Sequence, residues 1–367
     1  MSNTERLYQI ALTKLPLVGA VTAKTLIAYC GGTEAVFHAS KKSLQKIPGI
    51  GEKTVHEIVN QQVLGEAERE LQFLEDNEVQ TFFYLDQTYP QRLRKYNDCP
   101  ILLYYKGSID LNPTRTVAIV GTRKCTHQGI AICEELVEGL RPYHPVIISG
   151  LAYGIDICAH KAALEADLPT IGVLGHGLKR IYPPAHRATA NRMIEQGGLL
   201  TEFHSSSRPD REHFPMRNRI VAGLCDALIV IETAKRGGSM ITAMRAAEYG
   251  RALFAVPGRI KDKMSEGCNY LIKENKAILL ENADEIGYHL HWKPNETTPA
   301  ARQAALFREL TTDEKTVIDF LSEREETHID ELLRDSLISN TNLSALLLNL
   351  EFEGLVKSLP GKRYMLV

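Results

Sequence analysis

The sequence predicts an α/β protein centred on a doubly wound parallel sheet, with one helical module before it and another behind it. Short, uninterrupted apolar runs such as Val117-Ala-Ile-Val120, Val146-Ile-Ile148 and Ala227-Leu-Ile-Val-Ile231 recur through the middle of the chain. Runs without polar alternation belong to strands covered on both faces. The first two lead into glycine turns, Gly121-Thr-Arg-Lys-Cys-Thr126 and Ser149-Gly-Leu-Ala-Tyr-Gly-Ile-Asp156, and then into helical periodicity at 129–140 and 155–164. Strand, glycine turn and helix, repeated, is the pattern of parallel strands joined by crossover helices. At 367 residues the chain has room for two or three domains.

In order, residues 1–80 read as short helices joined by glycine turns, a SAM-like or helix–hairpin–helix module. Ile47-Pro-Gly-Ile-Gly-Glu-Lys-Thr-Val55 has the form of such a hairpin, whose turn can offer N–H groups to a phosphate. Leu15-Pro-Leu-Val-Gly-Ala-Val21 is a weaker repeat of it, and only Lys46 and Lys53 flank the stronger turn. A purely structural module is an equal alternative. Residues 81–112 carry apolar strands at 81–85 and 101–105, a connector expected to join the sheet edge. The Rossmann-like domain then runs to residue 292, with further strands at 170–174, 199–203, 227–231, 252–256 and 277–280. Sheets of this kind bind ligands beyond the carboxyl ends of their strands. Lys293-Pro-Asn-Glu-Thr-Thr-Pro299 begins a polar linker at 293–304. From 305 to 367, helical segments at 313–321, 328–333 and 342–351 precede two strands flanking Pro360-Gly361-Lys362, the pattern of a winged helix.

A hydrophobic share of 44% and a charged share of 24% suit a globular protein with substantial cores. The N-terminus lacks the basic and apolar regions of a signal peptide, and no apolar run is long enough to span a bilayer. Seven cysteines without a CxxC pair support neither a zinc site nor a disulfide framework. Seven of the twelve histidines fall between His127 and His213 without ligand spacing, so no metal is expected, nor any cofactor. The expected setting is cytoplasmic, with reduced thiols and no membrane. The net charge of −2 hides an uneven distribution. Residues 110–290 carry 22 basic and 20 acidic side chains, whereas residues 305–367 carry 7 and 12. A polyanion-binding surface must therefore be local, and the C-terminal segment is a poor place for it.

The residues just after each strand supply such a surface. They include Arg123 and Lys124, Lys179 and Arg180, Arg208 and Arg211, Lys235 and Arg236, and Arg259 with Lys261. Doubly wound topology brings these loops to one rim. Phe214-Pro-Met-Arg-Asn-Arg-Ile220 adds Arg217 and Arg219, and Tyr153, Tyr182, Phe203 and Phe214 lie in or beside the same loops. Basic groups mixed with aromatics suit a polymer of phosphates and bases, each stacked base contributing ~1–3 kcal/mol. The turns place helix N-terminal N–H groups beside Arg123, Lys124 and Thr126, an arrangement for anions. No Ser-His-Asp spacing, HExxH or Walker motif appears, and no catalytic residue is assigned. Asp156, His160, Glu202 and Glu232 are the acid/base groups near the rim, Asp156 reading more simply as a helix-start carboxylate.

The motifs Gly121-Thr-Arg-x-x-Thr126, Ser149-Gly-x-Ala-x-Gly-Ile-Asp-x-x-Ala-His160, Val173-Leu-Gly-x-Gly-Leu178, Phe214-Pro-x-Arg-Asn-Arg-Ile-x-Ala-Gly223, Gly238-Ser-x-Ile-Thr-Ala243 and Gly250-Arg-x-Leu-Phe-Ala-Val-Pro-Gly258 occur in this order. They resemble the DNA-processing protein A (DprA, also called Smf) family over essentially the whole chain. The resemblance implies a non-enzymatic single-stranded DNA-binding protein of bacterial natural transformation. It would protect incoming strands, load the recombinase RecA onto them and act as a homodimer through its Rossmann-like domain. It also implies that Arg123 and the turns bearing Gly121, Thr122, Thr126, Ser149, Gly150 and Gly154 bind phosphate. Lys179, Tyr182, Arg217, Asn218, Arg219, Gly238 and Ser239 would line the same pocket. Tyr153 and Met216 stand where that family often has basic residues. Leu271 and Ile272, after a turn near the sheet edge, are the candidate dimer surface. The rival is an enzyme, because the architecture also resembles the lysine-decarboxylase-like nucleotide phosphoribohydrolases. Their PGGxGTxxE signature carries a catalytic glutamate, whereas Arg236-Gly-Gly-Ser-Met-Ile-Thr-Ala243 is followed by no acidic residue before Glu248. A winged-helix repressor is disfavoured, since residues 342–351 contain no Lys or Arg to meet a DNA backbone.

Overall fold

Val117, Ile119 and Ile147 pack on one face of a nine-stranded sheet and Ala118, Val120 and Ile148 on the other, with a buried apolar core on each side. Burial on both faces explains the unbroken apolar runs, since each fully buried Val, Ile or Leu contributes about 1.5–3 kcal/mol. The computed structural model describes residues 3–295 and, further on, 311–366 apart from 323, 325, 337, 353, 354 and 360. Contacts divide the chain into two units, 1–295 and 296–367. Most of the expected linker at 293–304 lies outside the described residues.

The strands are β1 (Gln80–Phe83), β2 (Leu102–Gly107), β3 (Thr116–Gly121), β4 (Val146–Ser149), β5 (Thr170–Val173), β6 (Gly198–Thr201), β7 (Ala227–Ile231), β8 (Ala252–Ala255) and β9 (Ile278–Leu279). Their order across the sheet is β1-β2-β6-β5-β4-β3-β7-β8-β9. From β6 through β9 all neighbours are parallel, while β1 and β2 add an antiparallel pair beside β6, with Tyr104 opposite Thr201. The chain steps outward from β3 to β6, then returns to place β7 on the other side of β3. This reversal is a topological switch point, where loops after adjacent strands diverge and leave a crevice. Helices His127–Gly139 and Ile155–Glu165 cover one face; His213–Leu224, Gly238–Glu248 and Glu266–Lys273 cover the other.

The N-terminal helices share one core with the connector strands, in which Leu12, Leu26, Val55 and Leu74 meet Phe83, Ile101, Leu102 and Tyr104. Glu70 fixes this module to the loop after β6 by accepting from the backbone N–H of Ser205 at 2.6 Å and its hydroxyl at 2.8 Å. In the second unit, helices Thr312–Ser322, Ile329–Ser336 and Asn340–Phe352 pack on a three-stranded sheet. Its strands are β10 (Thr327–His328), β11 (Val356–Leu359) and β12 (Arg363–Leu366), in the order β10-β12-β11. Two residues are too few for β10 to show in the sequence pattern. Pro360, in the expected turn between the last two strands, lies outside the described residues. No helix among the described residues is long and apolar enough to cross a membrane.

Candidate functional site

Parallel pairing sets Gly121 of β3 level with Ile231 of β7, so the chain leaves both strands at the switch point. A crevice of about 280 Å³ opens there. Its walls are Gly121, Thr122 and Arg123 from the first turn, Gly150, Ala152 and Asp156 from the second, Phe214, Arg217 and Asn218 from helix His213–Leu224, and Thr233, Gly237, Gly238 and Ser239 after β7. Gly237 caps helix Gly238–Glu248 without a side-chain hydrogen bond, leaving the first N–H groups of that helix to the crevice.

The two glycine turns are packed backbone on backbone. Gly154 has φ +81°, and a Cβ there would stand 2.2 Å from the Thr122 carbonyl oxygen. That oxygen accepts from Ile155 N–H at 3.2 Å. Thr126 caps helix His127–Gly139, its hydroxyl oxygen accepting from Gly129 N–H at 3.0 Å. Glu232, at φ +50° just after β7, crosses the switch point and accepts from the Thr126 N–H at 2.8 Å and from its hydroxyl.

Arg217 forms the floor. It is 5% exposed, one Nη1–H donates to the Val173 carbonyl at 3.0 Å, and its Nε has no hydrogen-bond partner among the described residues. Burial pulls the Arg217 pKa down and pushes the Asp156 carboxyl up, and each group's charge partly opposes the shift of the other. Gly150 makes room for both, since a Cβ there would lie 1.7 Å from Arg217 Nη1 and 2.3 Å from Asp156 Oδ2. Its carbonyl is held by His160 Nε2 at 2.5 Å, while His160 Nδ1 meets Thr170 Oγ1 at 2.7 Å. Burial keeps this imidazole neutral, with its pKa lowered to about 4. Exposed Arg123 lies over the Phe214 ring at 5.3 Å from its centroid. The result is a concave site with a buried cation, an exposed cation and several backbone N–H groups, a set that complements an anion.

Of the residues singled out in the sequence, Gly121, Thr122, Arg123, Gly150, Arg217, Asn218, Gly238 and Ser239 converge on this crevice. Tyr182 lines an adjoining narrow slot with Arg123, Phe214 and Arg217. Others are placed differently. Ser149 is fully buried and donates to the Ile119 carbonyl at 2.6 Å, so its hydroxyl serves the sheet. Thr126 is committed to Glu232 and its own helix, and Gly154 shapes the turn rather than lining the cavity. Lys179 is exposed on the loop after β5 and lines neither cavity. Arg219 points the other way from its helix, pairs with Glu202 and donates to the Asp98 carbonyl at 2.5 Å, in a separate cleft against the N-terminal module. Leu271 is 0% exposed inside the sheet core and Ile272 packs against that core, so this pair does not form a surface patch. Sequence reasoning missed Thr233 and Gly237 as walls. Asp156 is the helix-start carboxylate that the sequence implies, accepting from the Ala152 N–H at 3.3 Å, and it is also the neighbour of Arg217 across Gly150, which the sequence does not show. Periodicity carries no signal for such cross-chain proximity.

The family model for DNA recombination-mediator protein A matches residues 80–291, the DprA winged helix domain matches 298–362, and a SAM-like helix-hairpin-helix tandem matches 10–61. The chain is 43% identical over 206 residues to DNA processing protein DprA of Streptococcus pneumoniae, covering 56% of this chain and 73% of that one. It is 32% identical over 398 residues to Protein Smf of Synechocystis sp., covering 99% of each. Among solved structures, DNA processing protein A from Streptococcus pneumoniae is similar with a TM-score of 0.67 at 34% identity, over 80% of this chain and 99% of that one. DNA processing protein A from Helicobacter pylori, described with a single-stranded DNA binding mode, gives a TM-score of 0.54 at 29% identity over 59% of this chain and 98% of that one. With its central domain, its flanking modules and full-length relatives all in agreement, the chain belongs to the DNA recombination-mediator protein A (DprA/Smf) family.

Proposed function

We propose that the chain is a cytoplasmic, non-enzymatic single-stranded DNA-binding protein that holds the strand's phosphates in the switch-point crevice. In this reading it protects incoming strands during natural transformation and delivers them to the recombinase RecA. Arg217 carries the reading: its buried guanidinium lines the floor of the crevice, the Val173 carbonyl and the neighbouring Asp156 carboxyl offset part of the cost of burying it, and an anion entering the crevice would add to that offset. Arg123 over Phe214 offers a second cation beside an aromatic face, as a strand of phosphates and bases requires.

The rival phosphoribohydrolase reading calls for a glutamate at the reacting centre. Glu232 is occupied by the N–H and hydroxyl of Thr126 and Glu202 pairs with Arg219 in another cleft, leaving Asp156 as the carboxylate that lines the crevice among the described residues. We further propose a homodimer through the edge strand β9, where Ile278 is 36% and Leu279 40% exposed and no strand pairs the outer edge among the described residues.

The test is fluorescence anisotropy with single- and double-stranded oligonucleotides across a salt series. Single strands should be preferred, with a log–log slope of about −0.7 per phosphate neutralised. Arg123→Ala should weaken binding about ten- to a hundredfold, the loss of a contact worth roughly 1.5–3 kcal/mol. Release of free base from nucleoside monophosphates, with no measurable oligonucleotide binding, would establish the hydrolase instead.

A further inference from the structure

The loop between β8 and helix Glu266–Lys273 carries the most exposed large apolar side chain among the described residues, Ile260 at 93%. Cations surround it in sequence. Arg259, Lys261 and Lys263 are all exposed, and none makes an ion pair among the described residues.

The base of this loop is firmly built. Asn269 holds Gly258 on both sides, its Oδ1 accepting from the Gly258 N–H at 3.1 Å and its Nδ2 donating to the Gly258 carbonyl at 2.9 Å. Gly258 packs so closely on Ser265 that a Cβ would stand 2.1 Å from Ser265 Oγ. Between them the Asp262 N–H donates to the Arg259 carbonyl at 3.1 Å, and the Ser265 N–H donates to the Asp262 carbonyl at 3.0 Å. The Asp262 carboxylate accepts from the Met264 N–H at 3.0 Å and from the Ser265 hydroxyl at 3.3 Å. The one carboxylate among these cations is therefore spent inside the loop. What remains at the tip is an isoleucine held in water between positive charges, which contributes nothing to the fold.

The loop also continues the rim of the crevice. It follows β8, which pairs with β7, and its Met264 is a crevice wall. Lys235, from the loop after β7, lies over the ring of Tyr270 on helix Glu266–Lys273, 4.8 Å from its centroid. Cations thus run from the crevice to the loop without a break.

We propose that the loop Gly258–Met264 is a second contact for a single strand, with Ile260 entering between two neighbouring bases and Arg259 and Lys261 meeting the phosphates on either side. This rests on the nucleic-acid reading of the crevice. Successive bases of a strand are flanked by successive phosphates, and cation, apolar wedge, cation is the complementary order. Apolar side chains separate stacked bases in this way, and a single strand has no base pairs to lose when they do. The hydrogen-bonded base of the loop means that little ordering is needed on binding. Isoleucine, stiff at χ1, suits a wedge.

The test uses the full chain and a single-stranded oligonucleotide carrying 2-aminopurine, whose fluorescence rises when it leaves a base stack. At saturating protein the wild type should raise that fluorescence, and Ile260→Ser should not. Anisotropy should show Ile260→Ser binding about tenfold more weakly, the loss of one covered aliphatic side chain, with an unchanged salt slope. Ile260→Leu should keep both properties. Lys261→Ala should instead make the log–log slope shallower by about 0.7, the share of one phosphate. Circular dichroism checks that the fold is intact, as the exposure of Ile260 leads one to expect. Full affinity and a full fluorescence rise in Ile260→Ser would overturn the loop contact while leaving the crevice reading in place. Loss of self-association in Ile260→Ser would overturn it by giving the tip to a contact between copies. Loss of binding to anionic phospholipid vesicles, with oligonucleotide binding intact, would give the tip to a membrane surface instead. A wild type that binds no oligonucleotide would remove the crevice reading and the loop contact together.

Discussion

Replacing Gly150 by alanine tests whether Arg217 anchors the anion. Gly150 lies outside the left-handed region, so its backbone admits alanine, and the stiffer unfolded chain would by itself favour the variant by about 0.4–1 kcal/mol. The added methyl, however, would sit 1.7 Å from Arg217 Nη1 and 2.3 Å from Asp156 Oδ2. The guanidinium must move to an ordinary contact distance, which costs about 1–3 kcal/mol as overpacking. It also leaves the point where a phosphate would meet it. Losing one charge-assisted contact of roughly 1.5–3 kcal/mol weakens binding about ten- to a hundredfold. Anisotropy with a labelled single strand reads the affinity, and circular dichroism confirms the fold. In an Arg217→Met background the same substitution should cost little further affinity, because the contact with the anion is already gone, while the clash with Asp156 Oδ2 remains and acts on stability. Full affinity in a folded Gly150→Ala protein, or losses that simply add, would refute the anchoring role.

A chain ending at Asn295 should keep its single-strand affinity within about tenfold, ~1.4 kcal/mol. Helix Asn340–Phe352 carries no basic residue, and a larger loss would assign the second unit a direct share of binding. Sedimentation of Ile278→Glu should give a folded monomer, since β9 is an edge strand with exposed apolar side chains. Leu271→Glu should instead unfold, because that side chain is 0% exposed; a folded monomeric Leu271→Glu would contradict this. His160 should make stability fall on acidification. Its folded pKa is lowered to about 4, whereas the unfolded chain binds that proton near 6.5, so its contribution is full above 6.5 and lost as pH falls toward 4. Asp156 and Glu202, whose carboxyls burial pushes up, act in the opposite sense. Their effect is common to wild type and His160→Asn, so the urea midpoint should drop less steeply from pH 7 to 5 in the variant. Equal slopes would rule out the buried imidazole as a source of acid sensitivity.

The apolar runs at 117–120, 146–148 and 227–231 determined the parallel sheet, because a strand buried on both faces has no polar position to give away. The glycine turns were legible for a similar reason. The switch point requires the chain to turn sharply against another backbone, and at Gly154 only glycine fits. Arg123 and Gly238 could be placed on the rim because parallel strands carry all their carboxyl ends to one edge. Direction within a helix was different. Arg217 and Arg219 are two residues apart, and only the packing of helix His213–Leu224 decided that one floors the crevice while the other pairs with Glu202 elsewhere. Leu271 read as surface because it follows a turn near the sheet edge, yet its helix turns it into the core. Ser149 and Thr126 sit in the anion-binding turns by sequence, but their hydroxyls are consumed by Ile119 and Glu232. Those partners lie 30 and 106 residues away along the chain. Such pairings depend on strand order and helix rotation, which local composition does not encode, and so the tertiary structure alone decided them.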